Sequence, residues 1–249
     1  GPIGMEIESI QQAIAGVKRV KTFLAEEERA EADKTPQVDA PLAVELAGVD
    51  FGYEDGRAVL KDFSLDVAPG EMVTLAGRTG AGKSTIFKLI LGDYEPWAGT
   101  VRVWGVDAAQ LTPQARRRFV GHVDQAFRAV PGTVADQITL GDPGISREEM
   151  TQAAQLAGIG GALEALPQGY DTPYAEGLLS QGQTQLLSIA RAVAANPKLL
   201  LLDEITANLD SGTEQQVMEA LRRASQNRAV LSISHRLYEQ SGQGRIVQI

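Results

Sequence analysis

Short runs of alternating apolar and polar residues open the part of the chain that follows residue 41. Over residues 42–67 this alternation, with a turn at residues 54–57, is typical of antiparallel strands joined in hairpins. Pro69 and Gly70 then predict a turn into the apolar run 72–76. The pattern predicts a small antiparallel β subdomain ahead of that run.

Helical spacing of apolar residues predicts two further regions. One amphipathic helix is expected within residues 5–35, followed by a linker that contains Pro36 and Pro41. Helical segments also dominate about residues 126–190, where Ser146 and Glu149 have the spacing of a capping box. The leading residues 1–4 are expected to be an expression scar, because they precede a methionine.

A glycine-rich loop follows the apolar run 72–76 and precedes a helix-like run at residues 86–91. It matches the pattern G-x-x-x-x-G-K-[ST], in which backbone N–H groups and the helix N-terminus bind phosphate. Lys83 is expected at the β and γ phosphates, and the Ser84 hydroxyl on Mg²⁺. The predicted nucleotide-binding residues of this loop are Gly77, Arg78, Thr79, Gly80, Ala81, Gly82, Lys83, Ser84 and Thr85.

Strands alternate with helices in the rest of the chain. Strands are predicted at residues 119–124, at the four leucines 199–202, at 229–234 ending in His235, and at 245–249. Consecutive leucines indicate a strand buried on both faces, as in a parallel sheet. We therefore predict an α/β fold over residues 36–249. Its expected parts are a P-loop NTPase core with a mostly parallel sheet, an N-terminal antiparallel β subdomain and an α-helical subdomain.

Polar residues at the predicted strand ends are the candidates for chemistry. Asp203 and Glu204 follow the four leucines, and we assign Asp203 to the Mg²⁺ shell and Glu204 to the attacking water. Phosphoryl transfer needs positioning and charge neutralisation, so His235 is expected at the γ-phosphate and Gln125 at Mg²⁺ or the water. The other histidine, His122, lies within a strand pattern and is expected to be a satisfied structural residue.

A second anion-binding device is predicted far from the first in sequence. Ser180 and Gly182 stand at the start of a long predicted helix, whose N-terminus favours a bound anion. Two separate phosphate-binding devices in one chain would be odd for a monomer. They are expected if a second molecule contributes its own device to the same site. The sequence therefore favours a site shared between two molecules.

Composition excludes several classes of function. The formal net charge of −9 argues against nucleic acid as the main partner, because such proteins show a basic footprint. Cysteine is absent, so neither a disulfide framework nor a thiolate metal site can form. No apolar run reaches the roughly eighteen residues of a membrane span.

Taken together, these residues resemble the nucleotide-binding domain of ATP-binding-cassette exporters over about residues 42–249. The resemblance implies that Tyr53 stacks on adenine, although Tyr53 alone would be interpreted as a core or edge aromatic. It identifies Gln125 as the Q-loop glutamine, Glu204 as the catalytic glutamate, Asp210 as part of the D-loop and His235 as the switch histidine. Residues 179–183 resemble the LSGGQ signature, so Ser180, Gly182 and Gln183 are expected to bind nucleotide.

The resemblance also implies partners and a location. The family works as a head-to-tail dimer, with two ATP molecules between the Walker A loop of one subunit and the signature of the other. Residues 8–28 resemble the connection from the last membrane helix of an exporter half-transporter. We therefore expect a second nucleotide-binding domain and a transmembrane domain as partners, and a position at the cytoplasmic face of the cell membrane.

Three departures from the family pattern affect these expectations. Gln181 replaces the first glycine of the signature, and Asp124 stands where proline is usual before Gln125. The segment 175–180 is shorter than the usual exporter loop before the signature, and that loop normally touches the helices of the membrane domain. The short loop therefore affects what can be expected of coupling to a membrane domain.

Other functions remain open at this point. A soluble cassette ATPase acting on nucleic acid or the ribosome is one alternative, opposed by the acidic balance and by the absence of a second cassette. A nucleotide-gated binding module without turnover is another, opposed by the presence of Glu204 and His235. An importer subunit is a third, and the exporter-like N-terminal segment argues against it. The transported substrate is not encoded in this sequence.

Overall fold

The computed structural model describes residues 39–54, 56–77, 81–204 and 208–249. The predicted N-terminal helix and the leading scar lie outside these ranges, as do Arg78, Thr79 and Gly80. The strands are β1 (Val44–Gly52), β2 (Ala58–Val67), β3 (Met72–Ala76), β4 (Ala98–Val103), β5 (Val106–Asp107), β6 (Val120–Val123), β7 (Leu199–Leu202), β8 (Ala229–Ser232) and β9 (Arg245–Gln248). The helices are α1 (Ala81–Ile90), α2 (Pro113–Arg117), α3 (Val134–Thr139), α4 (Arg147–Leu156), α5 (Gly160–Glu164), α6 (Gln181–Val193), α7 (Ser211–Ser225) and α8 (His235–Ser241).

The first sheet is antiparallel and has the strand order β2-β1-β4-β5. Val44 lies opposite Val67 of β2 on one side and Val103 of β4 on the other. Alternate residues along β1 are buried, as expected for a sheet that packs one face on the core. The predicted antiparallel β subdomain is therefore present.

The second sheet is parallel and has the strand order β6-β7-β8-β3-β9. All four leucines of β7 are buried, because helices cover both faces of this sheet. Leu199 and Leu201 belong to a core shared with α1 and the antiparallel sheet. Leu200 and Leu202 belong to a second core, shared with α3 to α7. This alternation confirms the predicted α/β class.

Helix starts follow the capping chemistry of the sequence. Thr112 caps α2, and its hydroxyl accepts a hydrogen bond from the Ala115 N–H at 3.1 Å. Ser146 and Glu149 form the predicted capping box at the start of α4. Pairs of this kind can be found from sequence alone, because both partners lie within four residues.

One element differs from its prediction. The strand expected over residues 229–234 ends at Ser232, and His235 is the first residue of α8 rather than the end of a strand. Ser234 caps this helix, since its hydroxyl accepts from the Arg236 N–H at 3.3 Å. The cap ends the strand early, because Ser234 must leave the β ladder to reach the helix N–H groups. Within the described ranges no helix is long and apolar enough to cross a membrane.

Candidate active site

Four neighbouring parallel strands end at the same edge of the second sheet. β3 leads to Gly77, β6 to Gln125, β7 to Asp203 and Glu204, and β8 to His235. Ligands of open α/β sheets bind at the carboxyl ends of the strands. The structure thus brings the predicted site residues that follow these strands to one edge.

Lys83 lies against the backbone of the phosphate loop. Its Nζ donates to the Gly77 carbonyl at 3.2 Å, and the residue is only 9% exposed. Ser84 is exposed on the outer side of α1, whereas Thr85 is buried. Ile249 supports the base of the loop, because its N–H donates to the Ala76 carbonyl at 2.9 Å. The Lys83 ammonium group thus lies against the phosphate loop, and Ser84 at the start of α1 is exposed.

Tyr53 packs against the edge of the core that contains the antiparallel sheet and also contacts Thr85 of α1. Its hydroxyl lies 2.8 Å from Oγ1 of Thr85, and its ring meets Tyr94 edge-on with the centroids 5.8 Å apart. An open cavity of about 820 Å³ adjoins it, lined by aromatic residues that include Phe51 and Trp97. Trp97 is 53% exposed, which leaves a flat apolar face available beside Tyr53. This is a surface on which a nucleobase can stack.

The two acids after β7 have different surroundings. Asp203 is half-buried, and burial raises the pKa of its carboxyl above the ordinary value. Glu204 is exposed, and its N–H donates to Oδ1 of Asp203 at 2.9 Å. Gln125 is exposed and its N–H donates to Oδ1 of Asp124 at 2.7 Å. A backbone hydrogen bond therefore orients the Asp203 carboxylate, whereas Glu204 and Gln125 are exposed to solvent.

The expectation of a satisfied His122 is wrong. Nε2 of His122 is buried and has no hydrogen-bond partner among the described residues. Burial lowers the pKa of the imidazole, against the opposing charges of Asp124 and Asp203. The neighbouring ring is Phe87 of α1, which is perpendicular to the imidazole, with the ring planes at 87°. The sequence predicted a strand at His122, but the neighbours of its ring depend on how α1 packs against that strand.

The signature segment forms the N-terminus of α6. Ser180 is the N-cap, its hydroxyl accepts from the Gln183 N–H at 3.1 Å, and Oε1 of Gln183 accepts from the Ser180 N–H at 3.0 Å. Gln181, the departure from the family pattern, is exposed. The capping box keeps the helix tip ordered and the Ser180 residue exposed.

Gly182 connects the signature to the start of α7. A methyl group added at Gly182 would overlap the Cγ2 methyl of Thr213. Asp210 caps α7, and its carboxylate accepts from the Thr213 N–H at 2.9 Å and from the Thr213 hydroxyl at 2.8 Å. These hydrogen bonds lower the pKa of Asp210. The structure therefore gives Asp210 and Gly182 local packing and capping roles, beside their predicted contact with nucleotide.

Arg191 of α6 fastens the segment that follows Gln125, and sequence reasoning missed it. Its guanidinium donates to the carbonyls of Gln137 at 2.6 Å and Arg128 at 2.8 Å and lies 4.2 Å from the ring centre of Phe127. Burial lowers the pKa of Arg191 to about 10. These partners lie more than 50 residues away in sequence, so local pattern holds no signal for them.

The fold and the edge residues define a P-loop nucleotide-binding domain. Comparison with known proteins adds the family: the ABC transporter model matches residues 60–207, more than half of the chain. The chain belongs to the ABC transporter family and is an ATP-binding, ATPase domain of that family.

Relatives and a solved structure agree with this assignment. The ATM1-type heavy metal exporter of Novosphingobium aromaticivorans is 36% identical over 241 residues, which are 94% of this chain and 39% of that protein. The mycobactin import ATP-binding/permease protein IrtA of Mycolicibacterium smegmatis is 40% identical over 230 residues, 92% of this chain and 27% of that protein. A bacterial Atm1-family ABC exporter with ATP bound is similar in structure, with a TM-score of 0.73 and 38% identity over 86% of this chain and 37% of that one. The chain thus spans well under half the length of these relatives.

Proposed function

We propose that this chain hydrolyses ATP to power export by an ABC transporter at the cytoplasmic face of a membrane. The observation that carries the proposal is the convergence of Gly77, Gln125, Glu204 and His235 at one edge of the parallel sheet. A phosphoryl-transfer site needs a phosphate cradle, a group that orients water and a group at the γ-phosphate. Residues of the types that these roles require follow the strands at that edge, and they support the proposal.

The side chains present also fit Mg²⁺. The hydroxyl of Ser84, the amide oxygen of Gln125 and the carboxylate of Asp203 are oxygen donors, the kind that Mg²⁺ prefers. Burial raises the pKa of the Asp203 carboxyl, and a bound cation would stabilise its charged form. When bound, Mg²⁺ neutralises phosphate charge during phosphoryl transfer. We assign these three residues to hold it.

Roles follow for the chain's own residues. Lys83 supplies a positive charge to the phosphates in place of its present hydrogen bond to Gly77. Glu204, exposed and adjacent to Asp203, orients the attacking water, and His235 donates to the γ-phosphate from the first position of α8. Tyr53 presents its ring to adenine beside the open aromatic cavity.

The proposed working form is a head-to-tail dimer with two ATP molecules at the interface. Ser180 and the α6 N-terminus are exposed, and a helix N-terminus stabilises an anion. In a head-to-tail pair this tip would face the phosphate loop of the other copy or of a related domain. Each ATP then contacts both molecules.

A transmembrane domain is the second proposed partner. A groove of about 770 Å³ runs beside Gln125 and is lined by Phe127, Tyr174, Leu179 and Gln185, among others. The lining combines aromatic and aliphatic side chains with polar ones such as Glu176 and Thr184, which suits an amphipathic short helix from the membrane domain. Because the groove contacts both Gln125 and the segment before the signature, a docked helix would sense the state of the site. The exporter relative and the exporter structure support export as the direction of transport. Another relative, IrtA, is named for import.

Replacement of Glu204 tests the proposal. Glu204→Gln should retain ATP binding and lower the rate of phosphate release about 100-fold or more, because the amide cannot act as a base. The matched control is Glu219→Gln, which makes the same change at an exposed position of α7 and should leave the rate unchanged. Unchanged turnover in Glu204→Gln would remove Glu204 from its role.

The same assay separates the alternatives. Wild-type protein that binds ATP with Mg²⁺ and releases no phosphate would indicate a nucleotide-gated binding module. Phosphate release that rises only on addition of RNA or ribosomes would indicate a soluble cassette ATPase. Basal release without either supports the proposed ATPase.

A further inference from the structure

Three potential metal ligands lie together at the carboxyl ends of β6 and β7. A ring nitrogen of His122 and one carboxylate oxygen from each of Asp124 and Asp203 lie within 4.8 Å of one another. β6 and β7 are parallel, with Val123 opposite Leu202, so Asp124 and Asp203 are the next pair in register. Because side chains alternate along a strand, His122 projects from the same face as Asp124. The cluster is therefore set by strand register rather than by one flexible loop.

The three groups have ligating capacity to spare. Each aspartate accepts one backbone N–H through Oδ1, from Gln125 at 2.7 Å and from Glu204 at 2.9 Å. A carboxylate has about four lone-pair positions, so these bonds orient the side chains and leave acceptor sites on both. Nε2 of His122 is buried without a hydrogen-bond partner among the described residues, which is a costly state for a polar atom.

The position of His122 is fixed by packing. Its ring lies edge-on to Phe87 of α1, with the ring centres 5.9 Å apart. All three cluster residues are half-buried, so a cation would lose part of its hydration and gain three protein ligands in exchange. Two adjacent carboxylates in a partly buried place also repel each other unless a positive charge lies between them.

We propose that His122, Asp124 and Asp203 bind a divalent transition-metal cation when no nucleotide is present. One imidazole nitrogen with two carboxylates suits ions such as Zn²⁺, Co²⁺ or Mn²⁺, whereas Mg²⁺ favours ligands that are all oxygen. Asp203 is also the acid assigned to the nucleotide's Mg²⁺. A transition metal in this cluster therefore competes with the formation of the magnesium nucleotide site.

The test uses Co²⁺ and the nucleotide-free chain in chelator-treated buffer. We expect one Co²⁺ per chain, seen as visible absorption bands of the metal and as heat in calorimetry. His122→Phe keeps a ring against Phe87 and removes the nitrogen, and Asp124→Asn keeps the shape and removes the charge. Each should weaken Co²⁺ binding at least about tenfold.

His235→Asn is the matched control, because His235 is the only other histidine of the chain, and it should bind Co²⁺ as the wild type does. Circular dichroism establishes that each variant is folded, and His122→Gln replaces His122→Phe if the latter is not. Absence of Co²⁺ binding by the wild type, or equal binding by His122→Phe and Asp124→Asn, would overturn the proposal. Equal binding would mean that other groups of the chain bind Co²⁺. Because no ATP is used, failure of the ATPase proposal would leave this result unaffected.

Discussion

At the scale of single residues, the contact between Gly182 and Thr213 shows why a glycine stands in the signature. The position lies inside α6, where glycine costs helix stability relative to alanine. The Thr213 methyl occupies the space that a side chain at this position would need. Thr213 cannot rotate away freely, because its hydroxyl is bonded to Asp210 at 2.8 Å. The glycine therefore allows the starts of α6 and α7 to pack closely.

This contact predicts the effect of Gly182→Ala. The added methyl should displace Thr213 and lower the free energy of unfolding by about 1–3 kcal/mol. Thr213→Ser removes the obstructing methyl and keeps the hydroxyl, so the double variant should recover most of the loss. The control is Gly161→Ala, because a methyl at Gly161 in α5 meets open space. Urea denaturation measures all four proteins, and a double variant no more stable than Gly182→Ala would contradict the packing explanation.

At the scale of elements, α6 links two parts of the site. Its first residues carry the signature, and Arg191 near its end holds the segment after Gln125. Arg191 binds two backbone carbonyls at fixed positions, which a planar guanidinium can do and a lysine cannot. A rigid helix thus relates the position of Ser180 to the position of Gln125.

Arg191→Met should loosen the segment after Gln125. Loss of two charge-assisted hydrogen bonds and a ring contact should lower the free energy of unfolding by about 2–4 kcal/mol. We expect kcat for ATP hydrolysis to fall more than KM rises, because Gln125 and not the phosphate loop is displaced. Arg222→Met, at an exposed position of α7, should change stability by less than about 0.5 kcal/mol. A fall in kcat without any loss of stability would place Arg191 in a different role.

At the scale of the whole molecule, the phosphate loop and the signature belong to different cores. α1 packs in the core that includes the antiparallel sheet, whereas α6 packs in the helical core on the other face of the parallel sheet. α1 and α6 therefore lie on opposite faces of the parallel sheet. This arrangement suits the proposed head-to-tail dimer, in which the start of α6 would face the phosphate loop of another molecule.

A composite site predicts that hydrolysis depends on protein concentration. Well below the dimer dissociation constant, specific activity should fall about tenfold for each tenfold dilution, because only the dimer is active. Phosphate release per chain is measured over a dilution series at saturating ATP and Mg²⁺. Light scattering of Glu204→Gln with ATP supplies the dissociation constant independently. Specific activity that does not change on dilution would contradict the composite site.

The sequence by itself determined the class of fold and most residues of the candidate site. Short-range signals were sufficient for this: the phosphate-loop spacing, the four leucines before Asp203 and the capping pairs such as Ser146 with Glu149. Such signals work because both partners of each interaction lie within one turn or one strand. The start of α8 at His235 was missed, since the Ser234 cap competes with the strand pattern locally.

Only the tertiary structure decided which of these residues meet. The strand order β6-β7-β8-β3 places Asp124 beside Asp203, and Nε2 of His122 finds no hydrogen-bond partner in the part of the chain that the structure describes. The contact of Gly182 with Thr213 and the hydrogen bond from Arg191 to the Arg128 carbonyl likewise join residues distant in sequence. The physical reason is that these neighbours are set by crossovers and by the packing of two cores, which no local pattern of apolar and polar residues contains.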